Sequence, residues 1–307
     1  MTAFDPSWRG RTAVITGAAS GFGLETARLA VAAGMNVVMA DVMPDALEAA
    51  AAALAQPGAT IVSFRVDVRQ AAQVDALALA VREHFGAPHV VFNNAGVSAG
   101  GLVWEHSLED WQWVLGVNLM GVVHGVRAFT PSMLAAERID AGYRGHIVNT
   151  ASMAGLVNMP NMGAYNVSKH AVVSLTETLY QDLQLVSERV QAHVLCPYFV
   201  PTGIGHSERT RPGELRAVAA PTASQRVAQA FGERAVASGR VSAAEVACAV
   251  FDAMAAGRFY IYSHPEALAS VGARAEDIVA GRNPRDPYRE RPELGSRLRA
   301  ALRTGEA

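Results

Sequence analysis

"TAVITGAASGFGLETA" (residues 12–27) runs from β-branched apolar residues through three glycines into a helical pattern. Gly17, Gly21 and Gly23 permit a tight turn and let the main chain approach a pyrophosphate. The helix that follows presents free N–H groups and the positive end of its dipole to that anion. A glycine triplet alone fits any tight strand-to-helix turn. Here a strand precedes it, a helix follows it, and the next apolar run, "NVVMAD" (36–41), ends in an acid 18 residues beyond Gly23.

The same alternation continues along the chain. Helical patterns over 45–55, 71–85, 107–136 and 163–187 separate "TIVSFRVDV" (60–68), "HVVFNNAG" (89–96), "GHIVNTAS" (145–152) and "VQAHVLCP" (190–197). "RFYIYSH" (258–264) reads as a last strand. Apolar strand cores joined by helices predict an α/β protein, a doubly wound parallel sheet with helices on both faces. No repeat or linker divides the 307 residues, so a single domain is expected, with its core over about 10–265. Residues 203–240 lack strand signals and are rich in Gly, Pro, Ser and Arg, which suggests a mobile insertion, a lid or a disordered segment. Residues 266–307 form a C-terminal extension whose end, "NPRDPYRERP", has a surface or subunit-contact composition.

Half of the residues are hydrophobic and 18% are charged, enough apolar material for a large core. A net charge of −2 gives no bulk attraction to nucleic acid or an anionic membrane. The start, "MTAFDPSWRG", lacks the basic and apolar regions of a signal peptide, and no apolar run is long enough for a bilayer. Cys196 and Cys248 make neither a disulfide framework nor a metal cluster and read as buried small hydrophobes, so a cytoplasmic location is expected. His146, His170 and His206 show no ligand spacing, and no metal is expected.

Asp41 can accept both hydroxyls of an adenosine ribose and would repel a 2′-phosphate, although it can instead cap the next helix. No basic residue follows it directly and the residue before Gly21 is neutral Ser20, so NAD is favoured over NADP. Asp67, ending the third strand, can reach an adenine amino group.

Of 26 Lys and Arg residues, only Lys169 is lysine. It lies four residues after Tyr165, on the same helical face and one turn away. A free tyrosine, with a pKa of about 10, is a poor base near neutrality. An ammonium about 5 Å away at an effective dielectric of about 20 favours the phenolate by roughly 3 kcal/mol. Lowered in this way, Tyr165 would suit the proton transfer that accompanies hydride transfer at a carbonyl carbon.

Taken in order, Gly17-x-x-x-Gly21-x-Gly23, "NNAG" (93–96), Asn118 in "GVNLMG", Ser152 in "IVNTAS" and "YNVSK" (165–169) resemble the short-chain dehydrogenase/reductase family over roughly residues 10–265. The resemblance implies a Rossmann fold and a nicotinamide cofactor. It makes Tyr165 the general acid/base and has Lys169 bond the nicotinamide ribose hydroxyls as well. Ser152 would steady the substrate oxygen, and Asn118 would hold a water relaying protons through Lys169. From the residues alone, Ser152 can equally be a helix cap and Asn118 a helix kink. The cofactor would also meet Ser20, Phe22 and Val42, then Val68, Asn94, Ala95 and Gly96, with Asn94 mainly shaping its turn. Beyond the sixth strand it would meet Pro197, Val200 and Thr202. The family's usual Pro-Gly is here Pro197-Tyr198, so Tyr198 is either a pocket wall or the sign of a different loop path.

The resemblance further implies that the substrate would be flanked by Val97, Trp104, Met153, Ala154 and Val157, and by Met159, Met162, Tyr198 and Phe199. Several of these can equally be core filling. An apolar lining with adaptable methionines predicts an uncharged, hydrophobic alcohol or ketone. The apolar stripes of 107–136 and 163–187 imply, by resemblance, a homodimer or homotetramer, although they can also pack inside one subunit. Two other readings stay open: an NADP-preferring carbonyl reductase, and a nucleotide-sensing protein without turnover.

Overall fold

The computed structural model describes residues 6–216 and 219–305. Part of the N-terminal reading rests on residues 1–5, which lie outside the described residues, as do 217–218 in the expected insertion and 306–307 at the tail. Strands β1 (Thr12–Thr16), β2 (Asn36–Asp41), β3 (Thr60–Arg65), β4 (Val90–Asn93), β5 (Gly145–Thr150), β6 (Val190–Cys196) and β7 (Tyr260–Tyr262) form one parallel sheet in the order 3-2-1-4-5-6-7. Helices α1 (Gly21–Ala32), α2 (Pro44–Leu54) and α3 (Ala71–Phe85) connect its first half. Next come α4 (Leu108–Leu115), α5 (Gly121–Ile139) and α6 (Gly163–Val186). Helices α7 (Ala223–Ala237) and α8 (Ala243–Ala255) precede β7, and α9 (Leu268–Val279) and α10 (Pro292–Thr304) follow it.

Every residue of β1 is buried, as a strand covered on both faces requires. Alternate side chains divide between two cores: Ala13 and Ile15 pack with α1, α2 and α8, whereas Val14 packs with α3, α5 and α6. This is the doubly wound Rossmann arrangement. Strand order reverses at β1, whose neighbours are β2 and β4, and the crevice beyond their C-terminal ends is where such sheets bind ligands.

The structure departs from the sequence pattern in three places. The helical run 107–136 is split by a π-helical segment, Gly116–Met120, that carries Asn118. Residues 203–240 contain two short 3₁₀ turns, Gly203–Thr210 and Gly213–Leu215, and all of α7, which a Thr222/Gln225 capping box starts. Helix α8, absent from the sequence reading, packs Val246, Val250 and Phe251 into the core, and the C-terminal extension adds α9 and α10.

Candidate functional site

The loop after β1 has the backbone its glycines allow. Gly17 and Gly21 lie at φ of +63° and +55°, where a side chain would be strained. A Cβ on Gly23 would come within 2.2 Å of the Gly17 carbonyl oxygen, so only glycine lets α1 start this close to β1. Asn94 fastens the loop to the neighbouring strands: its Nδ2 donates to the Thr16 carbonyl at 3.0 Å, and Thr150 Oγ1 donates to its Oδ1 at 3.3 Å. The Asp41 carboxylate accepts from Ala19 N at 3.1 Å and Met43 N at 3.0 Å. It thus braces the loop rather than capping α2, whose N-cap is Met43.

Asp67 is more engaged than expected. Arg69 donates to its carboxylate through Nε and a terminal nitrogen, the latter at 2.6 Å, and also meets Glu214 at 3.1 Å. Val200 is packed in the core and Val68 is buried, leaving mainly their backbones to meet a ligand. Thr202 lies against Gly21, and Pro197 is buried. Ser20 is exposed, Gly96 faces solvent beside Lys169, and Phe22, Val42 and Ala95 are half-buried.

Four of the expected residues come together beside this loop. Tyr165 and Lys169 lie in α6, both buried, with Lys169 Nζ 5.7 Å from the centre of the Tyr165 ring. Lys169 donates to the Thr150 carbonyl at 2.9 Å, which leaves two of its three donors for other partners. Ser152 follows β5. Its Oγ accepts from Ala154 N at 3.1 Å and donates to the Pro197 carbonyl at 3.3 Å, so it caps the short turn Met153–Gly155 as well as facing Tyr165. The Asn118 amide pairs with both backbone groups of Val97, at 2.8 and 3.0 Å, and donates to Ser168 Oγ at 3.0 Å. Ser168 in turn donates to the Tyr165 carbonyl at 2.7 Å. The Asn118 side chain therefore ties the π segment, the loop after β4 and α6 together.

The electrostatics correct one expectation. Burial raises the Tyr165 pKa above its ordinary value, with the Ser152 hydroxyl opposing, where the helical spacing alone suggested a lowered one. The phenol is almost wholly desolvated, and burial disfavours its charged form. The same burial lowers Lys169 to about 8.

On the substrate side, Val97 packs with Trp113, Val114 and Ala164, and Met153 and Ala154 are buried. Val157, Met159, Met162 and Phe199 are partly exposed, and Trp104 is 78% exposed. Tyr198 N donates to Ser263 Oγ at 2.9 Å, while its half-open ring leans on Phe199 and His264. The segment 203–237 is fastened over the loop after β4. A Cβ on Gly100 would meet Ala228 of α7 at 2.4 Å. Ser207 and Ser224 accept from the backbones of Ser98 and Leu102 at 3.0 and 2.9 Å. Arg211, buried and 4.8 Å over the Trp113 ring, donates to Asp110 Oδ1 at 2.6 Å, and Gln225 donates to Oδ2 at 3.1 Å.

A family model described as short chain dehydrogenase matches residues 11–213. The chain belongs to the short-chain dehydrogenase family. It is 34% identical over 268 residues to a CLA biosynthesis dehydrogenase/reductase of Lactiplantibacillus plantarum, covering 86% of this chain and 92% of that one. It is 34% identical to a 1-deoxy-11-beta-hydroxypentalenate dehydrogenase of Streptomyces avermitilis, over 87% and 89% of the two chains. A crystal structure of a short chain dehydrogenase/reductase from Burkholderia phymatum in complex with NAD superimposes with a TM-score of 0.88 at 53% identity, covering 92% of this chain and 98% of that one. This dehydrogenase is accordingly an oxidoreductase of hydroxyl or carbonyl groups on small molecules, with a nicotinamide dinucleotide as cofactor. The positive-φ glycines, the close α1–β1 approach and the two uncommitted donors of Lys169 fit such a cofactor.

Sequence reasoning missed Asp110, Arg211 and Ser168 in the dehydrogenase. Ser107 and Asp110 do form a capping box, a local signal, but Arg211 is 101 residues away and no periodicity links it to Asp110. Burial pushes the Asp110 carboxyl up, but the His106 side chain, Arg211 and the Ser107 backbone together hold it well below the usual carboxylate range. Its contribution to stability is thus full above the unfolded pKa, near 4, and is lost as pH falls below that. Asp110→Asn removes the buried counter-charge of Arg211 and leaves it only the exposed Glu208 carboxylate, at 3.1 Å. We expect it to loosen the segment 203–237, with a loss of up to about 3 kcal/mol in urea unfolding and faster proteolysis within that segment. Unchanged protection would show that the pair does not hold it.

Proposed function

We propose that the protein is an NAD-dependent dehydrogenase interconverting a hydrophobic, uncharged secondary alcohol and its ketone, with Tyr165 as general acid/base. One observation carries this reading: the buried Tyr165–Lys169 pair, one helical turn apart, with Ser152 alongside. The nicotinamide ring, when bound, supplies the hydride acceptor and, in its oxidised form, a positive charge. Tyr165 takes the hydroxyl proton as the alcohol is oxidised and returns it to the carbonyl oxygen in reduction. Its raised pKa keeps it protonated at neutral pH, ready for reduction, so oxidation depends on cationic help in forming the phenolate. Lys169 supplies part of that help and offers its free donors to the ribose. Ser152 Oγ turns from the Pro197 carbonyl to the substrate oxygen and steadies charge developing there. Asn118 positions Val97 and α6.

Support for a hydrophobic substrate comes from the partly exposed apolar side chains Val157, Met159, Met162 and Phe199; the relative named for a hydroxypentalenate supports the hydroxyl group, though that substrate also carries a carboxylate. The test is a panel of secondary alcohols followed by NADH absorbance. Tight NADH binding without turnover across the panel would favour a nucleotide-sensing protein instead.

The preference for NAD rests on Asp41 and neutral Ser20. Side-by-side titrations should give tighter binding of NADH than NADPH. Asp41→Ala should weaken NADH by about tenfold or more, roughly one charge-assisted hydrogen bond, while NADPH holds or gains. Equal losses for both would mean that Asp41 only braces the loop. Exposed Val167, Leu185 and Val186 on α6 support assembly of subunits through that helix.

A further inference from the structure

At the end of the sheet opposite the glycine loop lies a cavity of about 260 Å³. Its lining includes Arg11, Arg144 and Arg189, together with His146, Gln191 and Trp8. Topology explains the gathering. Arg11, Arg144 and Arg189 each immediately precede a strand, β1, β5 or β6, and His146 and Gln191 are the second residues of β5 and β6. Parallel strands therefore bring all five to one end of the sheet, about 20 Å from Gly17 at the usual strand rise.

The charge there is not balanced. Arg189 pairs with Glu137 of α5 at 3.4 Å. Among the described residues, Arg144 donates to the Tyr143 and Ala141 carbonyls, at 2.9 and 3.2 Å, and to no carboxylate. Arg11 rests 5.5 Å over the Trp8 ring and, among the described residues, meets no carboxylate. The C-terminus of α8 also borders the cavity, but the Asp252, Ala253 and Met254 carbonyls accept from Ala256, Arg258 and Gly257, which blunts that negative end. Among the described residues, the guanidiniums of Arg11 and Arg144 have no carboxylate partner at this concave site.

The histidines add directionality. His193 Nδ1 lies 2.7 Å from the Arg258 carbonyl and so must carry the proton, leaving Nε2 bare. Nε2 lies 3.1 Å from His146 Nδ1, so His146 Nδ1 carries its proton in turn. Burial, with the Arg11 guanidinium nearby, holds His146 neutral. His146 Nε2 is then an acceptor on a ring that lines a cavity otherwise rich in donors. A fully deprotonated oxyanion would satisfy the arginines but not this nitrogen. A phosphate group that keeps one hydrogen satisfies both.

We propose that this cavity is a second anion site, separate from the nucleotide site, which binds a hydrogen-bearing phosphate group, either inorganic phosphate or a small phosphomonoester. The guanidiniums of Arg11 and Arg144 hold the oxyanion and His146 Nε2 accepts its hydrogen. The test uses the full chain saturated with NADH, so that the glycine loop is occupied. Melting temperature is followed against inorganic phosphate, β-glycerophosphate and sulfate, each compared with chloride at equal ionic strength. A saturable rise with phosphate or β-glycerophosphate is expected, with the tighter of the two identifying the source, and sulfate should be weaker. Arg144→Gln, at an exposed position, and Arg11→Gln should each weaken binding about tenfold or more, the loss of one charge-assisted hydrogen bond, without changing turnover. No rise beyond chloride, a rise that NADH abolishes, a rise kept in both variants, or sulfate binding as well as phosphate would overturn the proposal.

Discussion

Tyr165→Phe is expected to lower kcat by about 1,000- to 10,000-fold, because it removes both proton transfer and a hydrogen bond to the developing oxyanion. Phenylalanine keeps the ring and loses only the hydroxyl, so the site stays filled. Binding of NADH, which on the proposed reading uses the glycine loop, Asp41 and Lys169, should change little in a fluorescence titration. The pH profile separates this role from a structural one. The phenol of the wild-type enzyme is raised above its ordinary pKa, so at neutral pH it is protonated. Oxidation needs it deprotonated and should quicken as pH rises, whereas reduction needs the proton and should not. The residual rate of Tyr165→Phe should lose that slope. A variant oxidising alcohols at the wild-type rate, with the slope intact, would remove Tyr165 from the chemistry.

What the sequence made legible was local. The glycine turn, the buried strands and the four-residue spacing of Tyr165 and Lys169 each express a short-range constraint. Positive φ at Gly17 and Gly21 and the close approach at Gly23 are the backbone that this turn requires. What stayed hidden depends on distant parts of the chain. Helix α8 follows a long strand-free segment, where the alternation of strands and helices lapses, yet it covers β1 beside α1. Arg211 finds Asp110 only after the segment 203–237 folds back over the loop after β4. The direction of the Tyr165 pKa was misread for the same reason. Spacing reveals the neighbouring ammonium, whereas desolvation is a property of the packed core, and here it raises the phenol against the opposing Ser152 hydroxyl.

Desolvation also sets the second large effect. Lys169 is buried among groups that offer it one acceptor, the Thr150 carbonyl, and its pKa falls from 10.5 to about 8. The folded protein therefore binds this proton more weakly than the unfolded chain, so below pH 8 the buried charge destabilises the fold by about 3 kcal/mol. That cost shrinks as pH rises from 8 to 10.5, where the unfolded chain also loses its proton. Lys169→Met removes the ammonium and fills similar volume, but it leaves the Thr150 carbonyl without a donor, which offsets about 1–2 kcal/mol. A net gain of about 1–2 kcal/mol at pH 7 is expected in urea unfolding, fading towards pH 10, while turnover drops by about 1,000-fold. Lys169→Arg should lose most of the activity without that gain. It keeps a buried charge, and its planar fork must fit where Gly96 already lies within 3.6 Å of Nζ, measured to the Cβ that glycine lacks. Stabilisation together with inactivity in Lys169→Met is the signature of a charge kept for chemistry at the expense of the fold. A variant both less stable and still active would show instead that Lys169 serves the core.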